Sequence, residues 1–313
     1  MILSIIIPVY NEINFIDTLL QSLLNDTFEM QVLLVDGGST DGTRERINEW
    51  SVKHPKIKMV DNPQRFVSSG FNKAYALSTG KFIAFIGAHA HYPKNYFSTA
   101  IKILENDESD AVGGSLRQIG KTEMGKAIAY CMSSKFGVGD TEFRTSKEKR
   151  FVQSVAFAVY KRTVFQRVGL MNEKLIRNQD DEFHYRLNQQ GFRILMVPEM
   201  TCTYYVRESL KRLFSQYFQY GLYKPMVLRK VKSEVKLRHL VPTFFVVYLI
   251  SIIPAFDYLG IIALLPLLIY LVLAIMLATR NCGSLLEKIY CFIVYPTLHI
   301  SYGTGFILGL FKK

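Results

Sequence analysis

Cysteine is scarce in this chain, and acid is outnumbered by base. The four cysteines, Cys131, Cys202, Cys282 and Cys291, show neither C-x-x-C spacing nor a disulfide framework, which argues against structural zinc and fits a reducing compartment. They read as packing residues. The opening MILSIIIPVYNE lacks the basic start, apolar stretch and small-residue cleavage site of a signal peptide, so the N-terminal domain is expected in the cytoplasm. No internal repeat, low-complexity tract or long linker is present. Beyond Arg238 charge itself nearly vanishes, a change of composition that marks a boundary near residue 240.

What is present begins with base. Lys and Arg number 38 against 26 Asp and Glu, a net charge of +12. Between Arg207 and Arg238 the basic residues crowd together just before the apolar tail, where a polybasic stretch meets anionic lipid. Lipid is therefore favoured over nucleic acid. Leu210, Leu213, Phe214, Tyr217 and Phe218 interleave with those charges, and the pattern predicts an amphipathic interfacial helix turned toward lipid or the catalytic domain. Three parts follow: an enzyme-like domain over 1–206, a basic connector over 207–239 and a membrane domain over 240–313.

The tail holds apolar segments near 241–256, 259–278 and 290–311. The second is long enough to cross a bilayer core, while Pro254, Pro296 and several glycines interrupt the others. Only Asp257 separates the first two by charge, which predicts a tight hairpin with its tip across the membrane and Arg280, Glu287 and Lys288 on the cytoplasmic side. Whether the third segment spans or re-enters stays open, because Lys312 and Lys313 favour the cytoplasm. A buried helical domain is the alternative.

In the first half, LSIIIPVY, QVLLVDGG, IKMVDN, KFIAFIGA, DAVGGSL and FRILMVP are apolar runs without alternation, as in strands buried on both faces. Ile13, Ile16, Leu19, Leu20 and Leu23 fall at helical spacing, and Ser39, Thr40 and Asp41 can cap a helix after DGGSTDGT. Alternating strands and helices predict a mostly parallel α/β sheet, with ligands at the carboxyl ends of its strands. PVYNE, DGGSTDGT and GAHAHYP all fall there.

SIIIPVYNE, LLVDGGSTDGT, NPQRFVSSGFNKAYALSTGKFIAFIGAHAHYP and GLMNEKLIRNQDDEFHYRLNQQGFRI resemble the GT-A-fold glycosyltransferases of family 2. SSKFGVGDTEFR, RHLVPTFF and LHISYGTGF match more narrowly the membrane-associated branch that includes the succinoglycan-biosynthesis glucosyltransferase. The resemblance covers nearly the whole chain. It implies a Rossmann-like GT-A domain, followed by interfacial and transmembrane helices, that binds a nucleotide sugar through Pro8, Tyr10, Glu12 and Asp36, with Arg65, Ser69 and Gly70 beside the donor. Each residue also has its own physics. Pro8 is expected to end its strand, and Tyr10 offers a flat face for a pyrimidine or packs as an ordinary aromatic. Asp36, at the end of a buried strand, needs a partner to offset its desolvation, and a uracil imide N–H would be one. Arg65 pairs with phosphate or stands as an exposed loop residue. Asp41 reads as a helix cap rather than a ligand contact.

NQDDEFHYRL carries three adjacent acids, Asp180, Asp181 and Glu182, which repel one another; a solvated helix start is the alternative. By resemblance Asp180, with Asp181 close behind, is the general base of an inverting transfer. Gly114, Gln179, Glu182 and Arg186 then lie near acceptor or donor sugar, and Arg186 could anchor one of the acids. The family's metal motif is Asp-x-Asp, or Asp-x-His in this branch. Here its first position is Gly87 and its third His89, so His89 is a metal ligand for Mn²⁺ or Mg²⁺ or else a core histidine. His91 is expected to point the opposite way and not to share a site with His89.

The function implied is transfer of a hexose from a UDP-sugar to a lipid-linked saccharide at the inner face of the inner or plasma membrane, during polysaccharide biosynthesis. The alternatives are glycosylation of a polyprenyl phosphate and a catalytically silent subunit that binds nucleotide or lipid, the latter suggested by Gly37 and Gly87.

Overall fold

The computed structural model describes residues 1–24, 28–140, 148–231, 236–281 and 283–312. Lys232, Cys282 and Lys313, and the part of SSKFGVGDTEFR beyond Asp140, lie outside them. The chain divides into two compact units, 1–117 with 142–204 and 118–141 with 205–313. Residues 118–141, which a single cut at 206 puts in the first domain, fall in the second unit.

The chain opens with β1 (Leu3–Val9), α1 (Ile13–Leu24), β2 (Met30–Asp36), α2 (Thr43–Lys53), β3 (Ile57–Asp61), α3 (Val67–Leu77) and β4 (Phe82–Phe85). There follow β5 (Ala90–His91), α4 (Tyr96–Glu105), β6 (Ala111–Gly113), β7 (Leu116–Ile119), α5 (Glu123–Ser133) and α6 (Lys135–Val138). Next come β8 (Arg150–Val152), β9 (Val159–Lys161), α7 (Arg162–Val168), α8 (Gln179–Gln189), β10 (Ile194–Met196) and β11 (Cys202–Tyr205). The last elements are α9 (Leu210–Val231), α10 (Leu237–Leu259), α11 (Leu265–Asn281) and α12 (Leu285–Phe311).

The first unit is built on an eight-stranded sheet of order β3-β2-β1-β4-β9-β6-β10-β8. β1 lies parallel to β2 and β4, β3 to β2, and β6 to β10, while β9 runs antiparallel between β4 and β6. Antiparallel β8 forms one edge. The apolar runs form strands because both faces are covered. Ile5, Ile7 and Leu34 pack with α1 through Ile16, Leu19, Leu20 and Leu23, and Ile6, Leu33 and Val35 pack with Phe71, Phe165 and Phe183 on the other side. Alternate residues of one strand thus feed two cores. Pro8 does not end β1, which runs on to Val9 with Pro8 opposite Val35. Pairing with β4 stops at Ile6, so at Pro8 the strand has a neighbour on one side only and a missing N–H is tolerated.

The second unit is helical. Leu237–Arg280 and Leu285–Phe311 are long and apolar enough to cross a membrane. α10 and α11 are joined by the tight turn Gly260–Leu264, and the Phe245 and Tyr270 rings stack between them at 4.4 Å. Pro254 and Pro296 do not interrupt their helices, which continue through both; neighbouring helices re-satisfy freed backbone groups in such segments. Leu213 and Tyr217 of α9, expected to face lipid or the catalytic domain, are buried. The reason is that α9 packs backbone to backbone on α12: a Cβ at Gly305 would stand 2.1 Å from the Phe218 carbonyl oxygen, and one at Gly309 2.3 Å from that of Leu222. Small residues permit this approach. Arg229 donates to the carbonyls of Gly309, Leu310 and Lys312, capping α12 instead of standing free for lipid phosphate. Cys131, Cys202 and Cys291 are buried and form no disulfide among the described residues.

Candidate functional site

β1, β2 and β4 are adjacent and parallel, so their carboxyl ends and following loops share one edge of the sheet. Four hydrogen bonds stitch the first two loops together. Asn11 N donates to Ser39 Oγ, Thr40 N to Asn11 Oδ1, Glu12 N to Thr43 Oγ1 and Ile13 N to Asp41 Oδ2. Asp41 also accepts from Thr43 N at 3.1 Å, so its carboxylate serves the starts of both α1 and α2. Above this base Tyr10 is 50% exposed. The Arg65 guanidinium lies over its ring, 5.7 Å from the centroid, and beside Gly38. Arg65 has φ 63, a left-handed conformation rare outside glycine. A Cβ on Gly37 would stand 3.5 Å from the Tyr10 ring. Tyr10, Gly37, Gly38 and Arg65 therefore form one open, flat-faced, cationic corner.

Asp36 is fully buried and satisfied from within. It accepts from Ser39 Oγ at 2.5 Å, Gly38 N at 2.9 Å and Ser39 N at 3.2 Å, and pairs with Arg44, which also reaches Asp61 at 2.8 Å. Burial pushes its pKa up, yet the bonds from Ser39, Arg44 and Gly38 outweigh that and hold it below its ordinary 3.8. The partner that its burial calls for is thus supplied by Ser39, Gly38 and Arg44. Sequence reasoning missed Arg44, although a cation one turn beyond an acidic loop is the signal that could have found it. Ser69 and Gly70 are likewise turned inward: Ser69 Oγ donates to Asn62 Oδ1 and to the Phe66 carbonyl, and a Cβ on Gly70 would meet Asn62 and Val35 at 2.7 Å. They brace the loop that presents Arg65. Gly114 is also a packing glycine, where a Cβ would fall 1.7 Å from the Met200 carbonyl oxygen.

At the end of β4, Gly87 has a steric explanation. A Cβ there would stand 2.7 Å from the Phe157 ring, so Phe157 fills the volume that a carboxylate side chain would need. Phe157 has φ 54, and its carbonyl accepts from Tyr96 OH. Gly87 is clamped on both sides, donating from N–H to Tyr92 Oη at 2.9 Å and accepting from that hydroxyl at 3.0 Å. Two residues on, His89 Nε2 lies 2.7 Å from Glu12 Oε1, and its ring meets Phe15 edge to face at 4.7 Å. Glu12, expected to touch nucleotide, is thus the partner of His89; its other oxygen, Oε2, is buried without a hydrogen-bond partner. His91 is exposed on β5 opposite Thr203. Among the described residues no three His, Cys, Asp or Glu side chains gather as a metal cage.

The acids stand at the start of α8 after Asn178, whose φ is 58. Asp180 is exposed, Asp181 half-buried and Glu182 buried, and Asp181 N donates to Asp180 Oδ1 at 3.0 Å. Glu182 is turned inward, where Arg186 grips both its oxygens at 2.9 Å while donating to the carbonyls of Val168 and Leu170. That pair ties α8 to the end of α7. Gln179 Oε1 is buried without a partner. Behind the acids lies a network absent from the sequence argument: His184 Nδ1 is 2.9 Å from Ser154 Oγ and its Nε2 2.7 Å from Tyr160 Oη. Burial drives the His184 pKa down to about 4, with Asp181 pulling it back up.

The Glycosyl transferase family 2 model matches residues 4–169. The succinoglycan biosynthesis protein ExoA of Rhizobium meliloti is 32% identical over 242 residues, 76% of this chain and 73% of that one. A Methanococcus voltae enzyme, named as a dolichyl N-acetyl-α-D-glucosaminyl phosphate 3-β-D-2,3-diacetamido-2,3-dideoxy-β-D-glucuronosyltransferase, is 30% identical over 261 residues, 80% of each chain. Among solved structures, a Pyrobaculum calidifontis mannosyltransferase with GDP-Man and Mn²⁺ covers 99% of this chain and 87% of its own at TM-score 0.61 and 18% identity. S. aureus TarS 1-349 with UDP-GlcNAc covers 97% and 92% at TM-score 0.53 and 16% identity. The structural likenesses establish the GT-A fold, and the sequence matches establish the family: this chain belongs to glycosyltransferase family 2 and is a glycosyltransferase.

Proposed function

We propose that the chain transfers a hexose from a UDP-sugar to a lipid-linked saccharide at the cytoplasmic face of the inner or plasma membrane, with inversion, in polysaccharide assembly. The observation that carries this is the joining, in one chain, of a GT-A unit to helices of membrane-crossing length. The Methanococcus voltae relative, whose name specifies a dolichyl-phosphate-linked sugar as acceptor, supports it. So does ExoA, named for succinoglycan biosynthesis. Of the nucleotides that solved neighbours hold, UDP-GlcNAc in TarS and GDP-Man in the mannosyltransferase, the uridine donor is proposed, with the exposed Tyr10 ring as the flat face for its base.

In the proposed step the acceptor hydroxyl oxygen attacks the anomeric carbon, its proton passes to Asp180, the bond from that carbon to the diphosphate breaks, and the nucleoside diphosphate leaves. Asp181 is the alternate base one residue on. Tyr10 and Arg65 offer a stacking face and a cation to the nucleotide. A divalent ion, as held by the GT-A neighbours with Mn²⁺, would neutralise the leaving diphosphate. The residues present suit a sparsely ligated ion: His89 Nδ1 takes no hydrogen bond among the described residues, while Nε2 faces Glu12, the carboxylate–histidine pairing that orients metal-binding imidazoles. Diphosphate oxygens and water would complete the coordination.

Membranes containing the protein, incubated with a panel of labelled nucleotide sugars, should yield lipid-extractable label from a UDP-hexose. A labelled lipid bearing a single sugar would move the acceptor to polyprenyl phosphate. Label from GDP-sugars alone would overturn the uridine assignment, and no label from any donor would favour a silent subunit.

A further inference from the structure

α8 carries the acids, and its side chains tie it to the sheet and to the 153–157 segment. One turn in from Asp180, His184 is 1% exposed, with one ring nitrogen on Ser154 and the other on Tyr160. Tyr160 belongs to β9, paired on both sides by β4 and β6 in mid-sheet. Ser154 belongs to the segment that ends in Phe157, whose ring lies against Gly87 two residues before His89. Asn188 repeats the attachment a turn later, donating to the Gln153 carbonyl at 2.8 Å and to that of His184 at 2.7 Å. A continuous path of contacts therefore runs from the acidic turn through His184 and Ser154 to the strand end that carries His89.

We propose that Ser154, His184 and Tyr160 are positioning residues for the transfer reaction, a buried hydrogen-bonded bridge that sets the first turn of α8 against the sheet and against the 153–157 segment. This rests on the assignment of the chemistry to Asp180 or Asp181. Stability alone does not call for an imidazole here. The site is walled by Phe165 and Phe183, and an apolar replacement of matched shape is often neutral in such a core. A neutral imidazole instead donates to one hydroxyl and accepts from the other, and so fixes the direction of both partners. The negative charges of both acids reach the bridge: Asp180 helps raise the Tyr160 pKa after burial has done so, and Asp181 opposes the lowering at His184. Displacing a reacting group by about 1 Å is enough to cost on the order of 10²-fold in rate.

The test compares full-length wild type with Tyr160→Phe, Ser154→Ala and the paired variant His184→Phe with Tyr160→Phe, which removes donor and acceptor together. Transfer is read with whichever labelled UDP-hexose gives lipid-extractable label, UDP binding by calorimetry, and amide hydrogen exchange over residues 179–183. The bridge predicts kcat lower by about 10- to 100-fold, unchanged UDP affinity, and faster exchange at 179–183 without faster exchange in β1 or β2. His184→Gln, which keeps a donor and an acceptor, should retain more of the rate than the paired variant does. Unchanged exchange at 179–183 overturns the proposal whether or not transfer is detected. So does a loss of kcat matched by an equal loss of UDP affinity, which marks general unfolding. Asp180→Asn and Asp181→Asn run alongside: if both stay active, the assignment beneath the proposal fails, whereas activity lost in either of them and kept in the bridge variants overturns the bridge alone.

Discussion

At the end of β2 the Asp36 carboxylate is fully buried and accepts from Ser39, Gly38 and Arg44, whereas Asp180 stands exposed on the first turn of α8. Both are acids at the mouth of the same sheet, and both belong to motifs that the family resemblance marks as functional. Their surroundings separate their work. A carboxylate taken out of water is stable only when protein donors fill its lone pairs, and one so filled has little left to offer a ligand or a proton. An exposed acid at a helix start keeps its charge through the helix dipole and remains reachable by solvent and substrate. Asp36 thus holds the loop that carries Gly37 and Gly38, and the proposed chemistry falls to Asp180.

The largest effect that would break this contrast is catalytic. Asp180→Asn should lower turnover by about 10²-fold or more, the scale of general-base catalysis, while calorimetric UDP affinity stays the same. If Asp181→Asn is the inactive variant and Asp180→Asn is active, the base moves one residue along the helix. Asp36→Ala should act the other way round. It leaves Arg44 and Ser39 without their buried acceptor, so the expected loss is about 3 kcal/mol of stability, read as a lower midpoint in thermal or denaturant unfolding. The fraction that remains folded should bind UDP nearly as wild type does. A full-strength midpoint with abolished UDP binding would return Asp36 to direct base recognition.

A smaller effect sharpens the same contrast through pH. His184 is held neutral by burial, with its pKa lowered from 6.5 to about 4. Between those values the unfolded chain binds a proton that the folded chain does not, so stability is complete above about pH 6.5 and declines as pH falls toward 4. The loss expected from pH 7 to pH 5 is about 2 kcal/mol. In the paired variant His184→Phe with Tyr160→Phe that part of the acid slope should disappear. An identical slope in both proteins would show that His184 is not the group being titrated.

How much of this was legible beforehand depended on the range of each contact. β1, β2 and α1 could be read because their apolar spacing is local and each buries the face that the spacing dictates. That Asp36 is buried was legible for the same reason. Its partner was not, because Arg44 reaches it only once the glycine turn at 37–42 has folded α2 back. Gly87 was visible as a missing acid, yet its cause lies seventy positions away in the Phe157 ring. Ser154, His184 and Tyr160 each look ordinary in sequence and meet only because α8 packs on β9. The prolines of α10 and α12 were misjudged by a rule for helices in water, where a freed carbonyl has no neighbouring helix to relieve it.

The smallest effect concerns the two histidines of GAHAHYP. His89 is one-third exposed and bonded to a buried glutamate, and its ring packs on Phe15, so its position is fixed from two sides. His91 sits on β5 with its side chain exposed, opposite Thr203 and without a hydrogen bond or ion pair among the described residues. Residues two apart on an extended strand share a face, so strand geometry does not set His91 apart from His89, contrary to expectation. The separation comes from the turn between 87 and 90 before β5 begins, which leaves the two side chains in different surroundings. His89→Ala should therefore lower transfer by about tenfold or more, the range seen when residues that hold or orient a metal are removed, and should raise the Mn²⁺ concentration needed for half-maximal rate. His91→Ala should change rate by less than about twofold and stability by less than about 0.5 kcal/mol, as surface substitutions do. Equal losses in the two variants, with equal shifts in Mn²⁺ requirement, would place both imidazoles in one site and remove the distinction that the Glu12 contact draws between them.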